Sequence, residues 1–359
     1  MKIIFLAGGG GTRLWPMSRQ KSPKQFQELI GEKSMIQQTL DRFRGSFPGD
    51  DFYVSVSSAF LKLVKKHLPD IPDSHYIIEP QKRDTGPAYG FAAAMLMRIC
   101  PDEPIAFIPT DHLIKEVPIF LRSLRVAERM IRSTGKMMDI GVVPTYPNVN
   151  LGYTHIGKKV GEDDGVAIHE FLGHKEKPPL EVAQTYLKDG SYLWHASYYM
   201  WTPRKFLEAY AEIAPQIYEH LAKIQDAIGT PGEQEVIAAE YPKMEKISID
   251  YAVTEQMNPR DVLIIPASFY WSDVGAWRVI KKELEENPQD NVTRGEHVSV
   301  DTKDCLIYGQ PKKLIATVGL ENMVVVDTPD ALLICPKDRD QDVKKIVEQL
   351  LERGENDYL

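Results

Sequence analysis

Residues 6–27 read LAGGGGTRLWPMSRQKSPKQFQ. Glycine has no Cβ, so its backbone N–H groups can approach an anion closely and its φ can be positive. A glycine-rich turn that follows a strand is a ready cradle for phosphate. Two familiar versions fail here. A P-loop needs GxxxxGK[ST], but the sixth residue from Gly8 is Arg13, and no Gly-Lys-Ser/Thr follows. A dinucleotide fingerprint needs GxGxxG, and its last glycine is missing. What stands here instead is a glycine loop with cations: Arg13, Arg19, Lys21 and Lys24, with no acidic residue before Glu28. Arginine offers phosphate a planar two-pronged donor and lysine a point charge. The plain alternative is a tight turn beside a solvated basic surface.

Two aspartates are placed to do chemistry with such a loop. Asp111 follows the apolar run Ile105–Pro109, at the carboxyl end of an expected sheet strand, where open α/β sheets bind ligands. Asp273 sits in Trp-Ser-Asp-Val-Gly just before an expected helix. Each alone could equally be a turn or helix cap.

The elements that must position these groups alternate. Strand-length runs are expected at Lys2–Ala7, Phe52–Ser57, His75–Ile78 and Ile105–Pro109. Helices are expected at Ser34–Phe43, Ala59–His67, Pro87–Ile99 and Ile119–Ser133, the first with Ser34 and Gln37 spaced as a capping box. This β–α alternation implies an α/β fold, a Rossmann-like, mostly parallel mixed sheet flanked by helices. After Gly141 strands and helices mix: Val166–Leu172 and Tyr192–Trp201 read as strands, and Ser248–Met257 as a helix capped by Ser248. Beyond Asn287-Pro288 come five short β runs and a polar helix, Gln341–Arg353. We therefore expect a catalytic domain over residues 1–287. A small C-terminal β-rich domain, a sheet or a β-helix-like stub, should cover 288–359.

Composition narrows the classes. With 43% hydrophobic and 26% charged residues, the chain is an ordinary globular protein. Its net charge of −8 argues against a general nucleic-acid or membrane-surface binder, so any phosphate site must be a local cluster of positive charge. Cys100, Cys305 and Cys335 are far apart and form no CxxC pair, so neither a zinc site nor a disulfide framework is indicated. The first apolar run ends at Ala7, too short for a signal core, and no stretch approaches a membrane span. A cytoplasmic protein is expected.

The stretch AGGGGTRLWPMSRQKSPKQF resembles the signature of sugar-1-phosphate nucleotidylyltransferases. Its RLWP, SR and PKQF parts resemble the mannose-1-phosphate guanylyltransferase (GDP-mannose pyrophosphorylase) branch. IIEPQKRDTGPA, IPTDHLI, LGYTHIG, KEKP, SIDYAV and YWSDVGAWRVI continue the likeness in order. The resemblance implies a GT-A-like nucleotidyltransferase fold and a reaction of GTP with mannose 1-phosphate to give GDP-mannose and pyrophosphate. It implies that Asp111 and Asp273 hold Mg²⁺, Lys24 meets nucleotide phosphates and Arg13 the leaving pyrophosphate. Ala7, Gly8, Gly9, Gly10, Gly11 and Thr12 are implied to cradle the nucleotide, with Glu79, Arg83 and Thr85. The position after Arg83, usually asparagine, is Asp84, which keeps an acceptor but loses the amide donor. The nucleophile would be a phosphate monoester, whose second pKa of about 6 leaves it mostly dianionic at neutral pH, so no general base is needed. Bringing anion to anion calls for a cation and alignment. Two carboxylates converging on one point also need a shared cation.

For the sugar phosphate the resemblance implies Gly152, Glu176, Lys177 and His195. Here the chain departs most. Gly173-His174-Lys175 stand as a small insertion before Glu-Lys-Pro, and the family's Trp-Asn-Ser-Gly reads Trp194-His195-Ala196-Ser197. Imidazole can donate and accept, but with a different reach from asparagine. Another manno- or heptose-type sugar is compatible with this change. The alternatives are a same-fold enzyme using another nucleoside triphosphate or sugar, and a non-catalytic sensor of nucleotide sugars. A homodimer is compatible.

Overall fold

The computed structural model describes residues 1–9 and 11–359; Gly10, expected in the nucleotide cradle, lies outside the described residues. Its contacts gather into two units. The first comprises Met1–Ala7, Arg42–Pro109 and Ile114–Trp271; the second comprises Gly8–Asp41, Thr110–Leu113 and Ser272–Leu359.

The first unit is built on a ten-stranded mixed sheet. From one edge its order is Val262–Pro266, Val166–Lys175, Tyr153–Asp163, Tyr192–His195, Met137–Val142, Met200–Trp201, Ile105–Pro109, Lys2–Leu6, Phe52–Ser57 and Tyr76–Glu79. The last four strands pair in parallel. Ile105–Pro109 is buried throughout, the continuous apolar pattern of a sheet covered on both faces. Strands after Gly141 pair mostly antiparallel. The helix Thr85–Met97 is buried on nearly every face from Gly86 to Ala94, which explains its Ala- and Gly-rich sequence. It starts at Asp84, whose Oδ1 accepts from Thr85 N at 2.8 Å.

Two expected elements are divided. Tyr192–Trp201 is two strands, Tyr192–His195 and Met200–Trp201, with Ser197 in the left-handed region at φ 58°. Ser248–Met257 is one helical turn, Ile249–Ala252, then a 3₁₀ turn, Thr254–Gln256; Val253 leaves helical geometry at φ −132°. Ser248 does cap the turn.

The second unit carries its own apolar core. Leu14, Trp15, Leu29 and Met35 pack with Val274, Trp277 and Ile280, and with Leu306, Tyr308, Val324, Val326, Val343 and Val347. The C-terminal strands stack as coils. Val292, Leu306 and Val324 stand in parallel register, and Glu296–Val300 pairs in parallel with Leu314–Val318. Such stacking puts like apolar side chains in rows and is β-helix-like. Among the described residues no helix is long and apolar enough to cross a membrane, and Cys100, Cys305 and Cys335 are free thiols.

Candidate functional site

In the second unit the glycine loop runs into a 3₁₀ turn, Thr12–Leu14, with Gly11 at its start at φ 58° and ψ 33°. A Cβ on Gly11 would lie 2.6 Å from Ser18 Oγ and 3.0 Å from Lys24 Cβ. Only glycine lets the loop close against the stem of Lys24 while holding a positive φ. Gly8 and Gly9 are exposed, with open space around them, and the Gly8 carbonyl accepts from Gln25 Nε2 at 3.3 Å.

Lys24 is the centre of this cluster. Its Nζ lies 3.0 Å from Asp111 Oδ2 and donates to the Asp273 carbonyl at 2.8 Å. Burial works against charge on Asp111, but Lys24, with help from His112, outweighs it and holds the carboxyl below its usual range. Asp273 turns its carboxylate back over its own loop. A Cβ on Gly275 would meet Asp273 Oδ2 at 2.6 Å and Arg13 Nη2 at 3.1 Å. Arg13 also donates to Gln341 Oε1 at 3.4 Å. Arg13, Lys24, Asp111 and Asp273 are thus brought together within one unit. Lys24 meets Asp111 through its carboxylate and Asp273 through its backbone carbonyl, and carboxylate oxygens are the donors a hard divalent cation takes. Arg19 is committed elsewhere: its Nη1 and Nη2 each bond Asp330 at 2.6 Å.

The first unit holds the remaining expected residues in two places. Ala7 is buried and donates to Ser55 O at 2.9 Å. Glu79 is buried; its Oε2 accepts from Tyr241 Oη at 2.6 Å and its Oε1 from Ser55 Oγ at 3.3 Å. Burial raises its pKa, and the two hydrogen bonds oppose the rise only partly. Thr85 Oγ1 accepts from Ile249 N at 2.9 Å. The Arg83 guanidinium lies 2.7 Å from the side-chain amide of Gln81. This segment is a braced loop at a strand–helix junction.

The second place gathers Gly152, Glu176, Lys177 and His195. His195 N donates to Gly152 O at 2.8 Å, and Lys177 Nζ lies 2.6 Å from Glu176 Oε1. His195 is sandwiched: Nδ1 is 3.2 Å from Asp139 Oδ2 and Nε2 is 3.4 Å from Asp250 Oδ1. Burial disfavours its charge, yet Asp139 and Asp250 prevail and push the imidazole up to about 10. Asp250 is held well below the usual carboxylate range: burial opposes this, and His195, His174 and Tyr199 overcome it.

Asp139, His174 and Asp250 were not singled out as site residues from the sequence. Their signals were present: Asp139 is a lone acid in the strand MMDIGV, and His174 directly precedes Lys-Glu-Lys-Pro.

Residues 2–289 match the nucleotidyl transferase family, and residues 295–350 match the MannoseP isomerase/GMP-like beta-helix domain. A mannose-1-phosphate guanylyltransferase of Salmonella muenchen is 32% identical over 99% of this chain and 74% of its own length. The chain belongs to the mannose-1-phosphate guanylyltransferase family of nucleotidyl transferases. A xanthan biosynthesis protein XanB of Xanthomonas campestris pv. campestris is 34% identical, with the same coverage. A Thermus thermophilus structure described as a mannose-1-phosphate geranyltransferase superposes with a TM-score of 0.85 at 27% identity, covering 97% of this chain and 98% of that one. As a member of this family, the chain is a nucleotidyltransferase enzyme of nucleotide-sugar biosynthesis.

Proposed function

We propose that this protein transfers a guanylyl group from GTP to the phosphate of mannose 1-phosphate, giving GDP-mannose and pyrophosphate in the cytoplasm. The observation that carries the reading is that the Lys24 ammonium holds both the Asp111 carboxylate and the Asp273 backbone, with the Asp273 carboxylate and the Arg13 guanidinium both beside Gly275. A sensor has no need of such a cluster. Residues 1–287 are assigned the nucleotidyltransferase role, and residues 288–359 the β-rich appendage.

Asp111 and Asp273 would hold Mg²⁺. Bound there, it would draw charge from the phosphate oxygens of the triphosphate. Lys24 keeps Asp111 ionised and presents an ammonium to the phosphates. Arg13 offers its guanidinium to the departing pyrophosphate, which gains charge as the bond breaks. Gly8, Gly9, Gly11 and Thr12 would supply backbone N–H donors to the nucleotide phosphates, while Ala7, whose N–H is taken by Ser55 O, fixes the start of the loop to the sheet; Gly10, expected in the same cradle, lies outside the described residues. Glu79, Arg83 and Thr85 shape the nucleotide side, Glu79 and Thr85 by bracing their loop. Gly152, Glu176, Lys177 and His195 receive the sugar phosphate, Lys177 meeting its charge. The sugar phosphate is already a dianion, so alignment replaces a general base.

A second reading, the same transfer to another sugar 1-phosphate, is favoured by His195. Its ring is clamped by Asp139 and Asp250, so it presents a fixed charged group rather than a neutral amide. Pyrophosphate release with Mg²⁺, across a panel of nucleoside triphosphates and sugar 1-phosphates, separates these readings. Preference for GTP with mannose 1-phosphate supports the first. A different preferred sugar supports the second, and no release from any pair leaves the sensor.

A further inference from the structure

The sugar-side cluster contains more than hydrogen-bonding groups. His174 Nε2 lies 3.6 Å from Glu176 Oε2 and 3.9 Å from Asp250 Oδ1. One donor atom from each of the three residues falls within 4.8 Å of the others. The His174 side chain is 1% exposed and that of Asp250 12%. His174 Nε2 is buried without a hydrogen-bond partner.

The orientation of these groups is fixed from outside. His174 Nδ1 lies 3.3 Å from Thr154 Oγ1, which turns Nε2 toward the two carboxylates. Tyr199 Oη donates to Asp250 Oδ1 at 3.0 Å, and Lys177 Nζ takes the far oxygen of Glu176 at 2.6 Å. Outer partners of this kind orient metal ligands. Gly152 leaves the room: a Cβ there would run into Glu176 Oε2 and lie 2.9 Å from His174 Nε2.

The spacing favours a metal over a proton. A proton shared between imidazole and carboxylate draws the heavy atoms to about 2.8 Å. Ligands about 2.0–2.1 Å from a tetrahedral ion stand about 3.3–3.4 Å apart. The observed separations, 3.6 and 3.9 Å, lie nearer the second. One imidazole with two carboxylates suits a first-row divalent ion such as Zn²⁺ better than Mg²⁺.

We propose that His174, Glu176 and Asp250 form a transition-metal site, separate in its residues from Asp111 and Asp273. Three protein ligands leave one position open, the arrangement of a site that takes water or a substrate hydroxyl. His195 stands beside it, with Nε2 3.4 Å from Asp250 Oδ1. The proposal rests on the sugar-side assignment only for the identity of the open-position ligand. The three ligands stand without it.

The test uses the full chain stripped with chelator and dialysed against Zn²⁺, with metal content measured by mass spectrometry. The Asp273→Asn variant should retain about one zinc per chain. His174→Gln and Asp250→Asn, built on that variant, should lose it. Co²⁺ substitution of Asp273→Asn should give the visible d–d absorption of a four-coordinate nitrogen–oxygen site, a readout that does not depend on the ligand variants folding. No bound zinc in Asp273→Asn, zinc retained by His174→Gln, or no such Co²⁺ spectrum overturns the proposal. Pyrophosphate release is assayed with Mg²⁺ on the stripped wild type in parallel. Transfer without a zinc site refutes this inference alone; a zinc site without transfer refutes the proposed function alone.

Discussion

Lys24 Nζ lies 3.0 Å from Asp111 Oδ2 and also holds the Asp273 backbone. One ammonium therefore ties together the positions of both aspartates. Replacing it with Lys24→Met removes the charge and the tether while keeping most of the stem. Turnover should fall by about 10²–10³-fold, the scale of losing one charge-stabilising donor. Far-UV circular dichroism should be unchanged, because Lys24 is not a core residue. Near-normal pyrophosphate release in this variant would remove Lys24 from the machinery.

Asp111→Asn and Asp273→Asn should each cost orders of magnitude in turnover while the chain stays folded. The two should not add fully, since groups acting as a unit lose most of their effect with the first substitution. Single and double variants assayed for pyrophosphate release form the cycle that checks this.

Gly275→Ala probes the same site from the backbone. Its Cβ would lie 2.6 Å from Asp273 Oδ2 and 3.1 Å from Arg13 Nη2, so both side chains must move. Gly275 is not among the positive-φ residues, so the penalty is steric and local. A rate loss of about 10²-fold is expected, since a 1 Å misplacement can cost that much. The melting temperature should stay within a few degrees. A large loss of stability with normal kcat would contradict this view.

Much of this was readable in advance. The capping box at Ser34 is present, with Gln37 Oε1 accepting from Ser34 N at 3.1 Å. The strand–loop signal at Gly8–Gly11 pointed to Arg13 and Lys24, and the fold sets Lys24 against Asp111 and Asp273, because adjacent residues declare local chemistry. Long-range pairing was not declared. Arg19 read as one more phosphate cation, but its partner Asp330 lies 311 residues away. The three polar partners clustered about His195 come from distant stretches of the chain: Asp139 lies 56 residues before it, while His174 and Asp250 belong to other elements. A one-dimensional pattern shows that Asp139 interrupts an apolar strand; it does not show what neutralises it.

The same lesson applies to the C-terminal coils, for which the sequence showed no chemical motif. Trp15 Nε1 donates to Tyr358 O at 2.8 Å, and Leu14 and Trp15 share a core with Leu306, Val324 and Val347. A chain ending at residue 287 would strip the glycine loop of that core. It should lose turnover and its cooperative melt, and bind a hydrophobic dye. A truncated chain with a sharp melt and intact turnover would make the coils dispensable. Sedimentation of the full chain reports separately on a homodimer.

His195 gives a pH test on the sugar side. Its imidazole, pushed up to about 10 between Asp139 and Asp250, carries charge at neutral pH, while in the unfolded chain histidine titrates at about 6.5. A raised folded value means stability that is fully present below the unfolded pKa and is lost as pH rises through the folded one. His195→Asn leaves Asp139 and Asp250 buried without their shared cation. Removing one partner of a buried charge cluster costs about 3–5 kcal/mol. In chelator, the variant should be less stable than wild type by about that amount at pH 6, and the gap should close as pH approaches 10. Urea unfolding of both chains at pH 6, 8 and 10 measures it. A constant gap would show that His195 stays neutral when folded, and the clamp would then be a neutral hydrogen-bonded ring rather than an ion pair.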